Sequence, residues 1–391
     1  MDYTIDEVMK YIEEEDVKFI RLAFTDAFGV QKNISVMPGE IAKAFESGIP
    51  INAKRIAGFG DYPGASVFLK PEPSTMAILP WRPDSGRVLR MFCNIVSADG
   101  KELDADTRTI LKRAAAEAKE AGITFRFGAE TEFYLFKKDE EGNPTRIPYD
   151  AAGYMDIAPL DKCENIRREI CLTIEKMGLT PERSHHEQGP GQNEIDFHYG
   201  KPLLAADQMT TFKTVVSTIA DRYGLTADFS PMPLPDMPGN GYHINIYASD
   251  REGNDVVERA AAGIMEKIRD ITLFLNPADA SYARLGKGRA PDRVNWSREG
   301  KAALLYLDDF GGRTRAQLRS PDAAGNAYLV YALLIHAGLY GIQNKLSLPP
   351  KAGQDSLLLP SSRKEAGKLA SSSEFVREIL PSGIIDEYTR L

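Results

Sequence analysis

The chain has 391 residues, 43% of them hydrophobic, 27% charged and 9% aromatic. That is ordinary globular composition, with enough chain for two cores rather than one. A formal net charge of −8 and a pI near 5.4 exclude a general nucleic-acid or anionic-membrane binder, though not a local cationic site for a small anion. The longest apolar run, residues 327–342, is too short to span a bilayer, and the acidic N-terminus is wrong for a signal peptide. A cytoplasmic location is therefore expected, with Cys93, Cys163 and Cys171 as small apolar fillers in a reducing compartment rather than a zinc site or disulfide framework.

In chain order, a first helix over 4–14 precedes two strands, VKFIRLAFTD and VQKNISVM, joined by a turn around Ala27–Gly29. Short strands continue to about residue 97, with turns at DYPG and KPEPST. The character changes at 104–122, where Asp and Thr start signals, helical apolar spacing and a Gly122 stop predict a helix. Strands then alternate with long helices: FRFGAETEFYLF, helix 164–177, NEIDFHYG, helix 206–223, GYHINIYA, helix 256–275, AQLRS, helix 323–343. The tract 349–372 is expected to be a loop containing a short helix. The fold class is α+β. A small β-rich domain (1–103) precedes a large domain (104–391) with a mainly antiparallel sheet and helices on one side.

Three segments carry candidate chemistry. In GAETEFYLF, Glu130 and Glu132 share one strand face. Two carboxylates that close need solvent, a proton or a cation between them, and an exposed polar face explains the pair alone equally well. In HHEQGPGQNEIDF, Glu187 and Glu194 flank a glycine-rich turn, and in PGNGYHINIY, His243 and Asn245 share a face after another. Four glutamates and a histidine on sheet segments suit a hard cation such as Mg²⁺ or Mn²⁺. Of His185 and His186 at most one can face such a site, with surface or supporting roles favoured for the pair. Further on, RTRAQLRSPD puts Arg315, Gln317 and Arg319 on one face, two guanidiniums around a neutral amide.

The blocks GAETEFYLF, HHEQGPGQNEIDF, GNGYHINIY, NPADASYARL and LRSPDAAGNAYL, with PEPSTMAILPW earlier, resemble the signature blocks of the glutamine synthetase family in order and spacing. The resemblance implies a β-grasp-like first domain, a catalytic second domain, and homo-oligomeric rings, hexamers or dodecamers, with active sites between subunits. It implies ATP-dependent phosphorylation of the glutamate side-chain carboxylate with divalent-cation assistance, followed by displacement of phosphate by ammonia. It carries Glu132, Glu187 and Glu194 over as ligands of the tighter metal site. Glu130, His243 and the position of Gln317, a glutamate in the family, would be ligands of a second, nucleotide-linked site. Arg315 matches a phosphate contact with a catalytic role, Arg284 and Arg319 the grip on the amino-acid α-carboxylate, Gly239 and Gly241 the substrate turn, and Asn245 and Lys301 nucleotide contacts.

Several positions depart from the family pattern. The D-G-S-S segment that reaches a neighbour's site is Asn52-Ala53-Lys54-Arg55 here, which puts Asn52, Lys54 and Arg55 at the acceptor position. The flap run G-Y-E-A-P is GRAP (288–291), without the glutamate that would deprotonate ammonium. Lys301 and Tyr306 stand where phosphate-binding arginines are expected, and GQDSLLLP lacks the tyrosine that is adenylylated in some members. Neutral and cationic groups replacing anionic ones imply an acceptor other than ammonium, one bearing a carboxylate or phosphate. The alternatives are a ligand-binding or regulatory ring without ligase activity, and an ATP-independent metal-dependent γ-glutamyl hydrolase.

Overall fold

The computed structural model describes residues 3–390 except 61, 63, 65 and 351–355. Part of the DYPG turn and part of GQDSLLLP therefore lie outside the described residues. Helix α1 (Ile5–Glu14) starts at Thr4, whose hydroxyl accepts from Glu7 N while the Glu7 carboxylate accepts from Thr4 N. Strands β1 (Val17–Thr25) and β2 (Gln31–Val36) form an antiparallel hairpin. Asp26 shapes its turn by accepting from Phe28 N and Val30 N, and Gly29 takes φ +76°.

Helix α2 (Ile41–Ser47) and strands β3 (Ile49–Asn52), β4 (Ser66–Pro71), β5 (Ala77–Ile78) and β6 (Arg87–Val96) follow. The sheet runs β2-β1-β6-β4-β3 with β5 beside β6, and β1 and β6 are parallel. Ile20, Leu22, Leu69, Leu89 and Met91 meet Val8 and Ile12 of α1 and Ile41 of α2 in one apolar core.

The larger sheet is built from β7 (Thr124–Lys138), β8 (Pro144–Pro148), β9 (Pro181–His186), β10 (Gln192–Gly200), β11 (Leu225–Asp228), β12 (Tyr242–Ser249), β13 (Trp296–Ser297), β14 (Leu305–Phe310) and β15 (Arg313–Leu318). Its order is β13-β14-β15-β12-β7-β10-β9, with β8 and β11 also paired to β7. All these pairings are antiparallel except β13–β14.

Its helices are α3 (Thr107–Glu120), α4 (Glu164–Lys176), α5 (Pro202–Arg222), α6 (Val257–Leu275), α7 (Asp279–Arg284), α8 (Ala327–Gln343), α9 (Arg363–Ser372), α10 (Glu374–Ile379) and α11 (Ser382–Thr389). Three starts differ from the sequence expectation for local reasons. Asp106 caps α3, so that helix begins at 107 rather than 104. Pro202 opens α5 four residues early, since the first turn needs no N–H from it. Asn326 caps α8, delaying its start to 327, and donates to Ala27 O at 3.0 Å.

Strand alternation divides the sheet into two faces. Phe133, Ile195, Ile244 and Leu318 point into the second apolar core with the helices. Glu130, Glu132, Glu194, His243, Asn245 and Gln317 point to the opposite face.

Candidate active site

Register assembles that polar face in two rungs. On the first, His243 (β12) lies opposite Glu130 (β7), Glu130 opposite Asp196 (β10), and Asp196 opposite Arg183 (β9). On the second, Glu132 lies opposite Glu194, and Glu194 opposite His185. At the far end of that rung, Gly241 exchanges backbone bonds with Glu132: its carbonyl accepts from Glu132 N at 3.1 Å, and its N–H donates to the Glu132 carboxylate at 2.7 Å.

Glu187 follows β9 and is turned inward by the QGPGQN loop, with its Oε1 3.1 Å from His185 Nε2. Gly189 in that loop has no room for a side chain, because a Cβ would lie 1.9 Å from the Tyr134 hydroxyl. The rungs form one wall of a cleft of about 570 Å³, also lined by Arg183, Arg284, Arg319, Lys301 and the loop Lys287–Ala290.

The ligand atoms of Glu132, Glu194 and His243 lie within 4.8 Å of one another, as do those of His185, Glu187 and Glu194, and those of Glu130, Glu194 and Asp196. Burial, then Asp196, Glu132, Glu130 and Glu187, push the Glu194 carboxyl well above its ordinary range. Burial and Glu130 raise Asp196 to about 6 against the opposing pull of Arg183. Burial also works to raise Glu130, but His243, Lys301 and Arg183 outweigh it and hold that carboxyl well below the usual range. Burial, then Arg319, lowers the His243 pKa against the opposing pull of Glu130 and Glu132. Among the described residues the buried His243 Nδ1 has no hydrogen-bond partner, and it lies 3.7 Å from Glu130 Oε2. Mutually repelling carboxylates beside an orphaned ring nitrogen, with Glu194 common to all three groups, suit a hard divalent cation.

Arg284 is buried and donates to Ser320 O at 2.8 Å and to Arg319 O at 3.2 Å. A Cβ on Gly241 would lie 2.5 Å from His243 Nε2 and 3.1 Å from Arg284 Nη2, and one on Gly239 would lie 3.0 Å from Arg284 Cγ. The two glycines thus let the histidine and arginine approach the turn. Gln317 donates from Nε2 to Glu130 Oε1 at 2.7 Å and to Asn245 Oδ1 at 3.0 Å, and accepts from Arg319 Nη1 at 2.6 Å. Asn245 therefore sits within this network and is absent from the cleft lining, whereas Lys301 lines the cleft. Arg315 forms a two-pronged ion pair with Asp308 and does not line the cleft.

Asn52, Lys54 and Arg55 lie exposed at the end of β3 and the turn after it, outside the cleft of their own chain, with Asn52 Oδ1 accepting from Lys54 N at 3.0 Å. Sequence reasoning passed over Arg183 and Asp196 and favoured a surface or supporting role for His185. All three stand at even spacing from recognised positions, 183 and 185 on one strand and 194 and 196 on the next, so period-two counting would have found them. His186, one residue off that period, is buried against Asp150.

The family model described as "Glutamine synthetase, catalytic domain" matches residues 104–391, and "Glutamine synthetase, beta-Grasp domain" matches residues 16–98. A Clostridium saccharobutylicum protein named glutamine synthetase is 40% identical over 380 residues, covering 93% of this chain and 86% of its own. Its Methanosarcina mazei namesake is 37% identical over 413 residues, covering 98% and 92%. Among solved structures, one titled as a GmaS/ADP complex superposes with a TM-score of 0.89 at 23% identity, covering 100% of this chain and 94% of its own. Plasmodium falciparum glutamine synthetase gives 0.88 at 22%, covering 100% and 95%. At those identities the two structures bear on the fold alone. With both family models matched along the chain and curated relatives at 37–40% identity over nearly its whole length, the chain belongs to the glutamine synthetase family.

Proposed function

We propose that this chain is an ATP- and Mg²⁺- or Mn²⁺-dependent carboxylate–amine ligase acting on glutamate or a close relative. The carrying observation is the convergence of Glu130, Glu132, Glu187 and Glu194 with Arg284 and Arg319 on a single cleft. The glutamate side-chain carboxylate attacks the γ-phosphorus of ATP, ADP leaves, and an amine nitrogen then attacks the acyl phosphate and expels inorganic phosphate. A divalent ion on Glu132, Glu187 and Glu194 would neutralise charge on the transferred group. Arg284 and Arg319 bind the α-carboxylate of the amino acid. Lys301 is the better-placed phosphate contact, since Arg315 is committed to Asp308. The same reading divides the chain at 103/104, in keeping with its two apolar cores.

The acceptor in this reading is an amine other than ammonium. The loop over the cleft brings Lys287 and Arg289 and no carboxylate, which disfavours a small cation and favours an amine carrying its own anionic group. In a homo-oligomeric ring, Lys54 and Arg55 of a neighbouring subunit would add to that field.

A second reading, ordinary glutamine synthesis from ammonium, is favoured by the names of the relatives at 37–40% identity. Phosphate release with glutamate and MgATP, measured with ammonium and with a panel of amino acids and amino phosphates, separates them. Efficient turnover with ammonium replaces the first reading by the second. Glutamate binding without phosphate release for any acceptor would leave a ligand-binding protein. Glutamate release from γ-glutamyl amides without ATP would make it a hydrolase.

A further inference from the structure

Both N–H directions of the Gln317 amide are assigned, and its oxygen faces a cation. Its amide N–H donates to Glu130 and Asn245, and its oxygen accepts from the Arg319 guanidinium. Turning the amide over would set oxygen against the Glu130 carboxylate and N–H against a cation, so the network dictates the orientation. The one oxygen Gln317 could offer to a metal thus faces the Arg319 guanidinium, whose charge opposes a cation there. Glu130 Oε1 is filled, receiving Gln317 Nε2 at 2.7 Å, Arg183 Nη2 at 3.3 Å and Asn245 Nδ2 at 3.4 Å.

Arg183 completes the arrangement. Its Nε donates to Asp196, so one guanidinium bridges the two facing carboxylates of the first rung, Glu130 and Asp196. Lys301 lines the same cleft. What remains for a second divalent ion is Glu130 Oε2, Asp196 Oδ1 and His243; the two carboxylates flank the Arg183 guanidinium, and His243 already groups with Glu132 and Glu194. Carboxylates already bridged by a guanidinium are a poor cation site.

We infer that Arg183 and the Gln317 amide stand in for the family's second metal, so each chain holds one divalent ion, on the Glu132/Glu187/Glu194 side. Arg183 lines the cleft and its side chain is 54% exposed, so its fixed charge is available to an anionic ligand without being carried in by a nucleotide. The acceptor plays no part in this inference, and a failed ligase assay leaves it standing.

Crystals of the full chain grown with Mn²⁺, with and without ADP, and measured at the manganese absorption edge test it. A Mn²⁺ titration in solution, followed by the paramagnetic signal of the free ion, gives an independent count. Wild type is expected to show one anomalous peak, beside Glu132, Glu187 and Glu194, and one tightly bound ion per chain. The Arg183→Ala/Gln317→Glu double variant, which removes the guanidinium and restores a carboxylate, is expected to show two. A second peak within coordination distance of Glu130 in wild type overturns the inference, as does a double variant that folds and still binds one ion. If the double variant does not fold, the wild-type map decides alone.

Discussion

Arg284 illustrates how the individual positions of the cleft are set. Its guanidinium is held by two backbone carbonyls, those of Ser320 and Arg319, so its direction comes from the main chain after β15 rather than from a mobile side-chain partner. Burial lowers its pKa from the ordinary arginine value, yet it stays charged at any working pH. Lysine keeps the charge but loses the planar fork that can serve two carbonyls and a carboxylate together. Arg284→Lys is therefore expected to raise KM for glutamate by about 10–100-fold, equivalent to roughly 1.4–2.7 kcal/mol, with a smaller fall in kcat. Steady-state kinetics at saturating MgATP check this, and an unchanged KM would remove Arg284 from the amino-acid grip.

Between elements, α6 and α8 cross in close contact behind the large sheet. A Cβ on Gly263 would lie 2.2 Å from Ala337 O, and one on Gly341 would lie 2.1 Å from Arg259 O, so the two backbones touch where both residues lack a side chain. Neither glycine has a positive φ, so its value lies in close approach and not in conformational freedom. Gly263→Ala must push the helices apart or bend one of them. A loss of about 1–3 kcal/mol or more is expected, even though alanine is the better helix former. Urea unfolding measures it, and a stabilised variant would contradict the crossing geometry. Nothing in the local sequence of either helix marks this contact, because glycine inside a helical pattern is only a small propensity penalty until the partner is known.

Across the whole molecule, the first hairpin is tied to the last helices. Its turn carbonyl at Ala27 accepts from Asn326 Nδ2 and from the Tyr388 hydroxyl, each at 3.0 Å. Arg108 joins Asn94 of the first sheet to Asp207 of α5. A second long-range feature is His336 on α8, largely buried and 3.7 Å from Glu117 Oε2 of α3, with Arg113, Arg377 and Glu378 lining the same hollow. Burial lowers the pKa of His336 below its ordinary 6.5, with Glu117 opposing. Folding thus favours the neutral ring. The contribution is fully present above pH 6.5 and is lost as pH falls below it, with a limiting slope of about 1.4 kcal/mol per pH unit for one proton. Urea midpoints from pH 7.5 to 5.5 should fall less steeply for His336→Gln than for wild type, and equal slopes would refute the assignment.

The hairpin β1–β2, the strands β7, β10, β12 and β15 and most helix bodies were legible in the sequence because they follow from local periodicity, whereas β8, β9, β11, β13 and β14 were not read from it. The blocks around Glu130, Glu187, His243 and Arg319 were legible because their order along the chain resembles a known family. Helix starts at 107, 202 and 327 differed from expectation because the side chain or proline at each start, not the surrounding composition, sets the first turn. By itself the sequence determined that two glutamates on β7 share a face, that a glycine-rich turn precedes each of two further candidate segments, and that an amide stands at position 317. Only the tertiary structure decided what that amide does. Two of its partners, Glu130 of β7 and Asn245 of β12, come from other strands, and Arg319 follows it on its own segment. Arg183 reaches Glu130 across two strand pairings whose register no local pattern encodes. A strand's own period says which side chains share a face, but the charges they meet are set by the neighbouring strands.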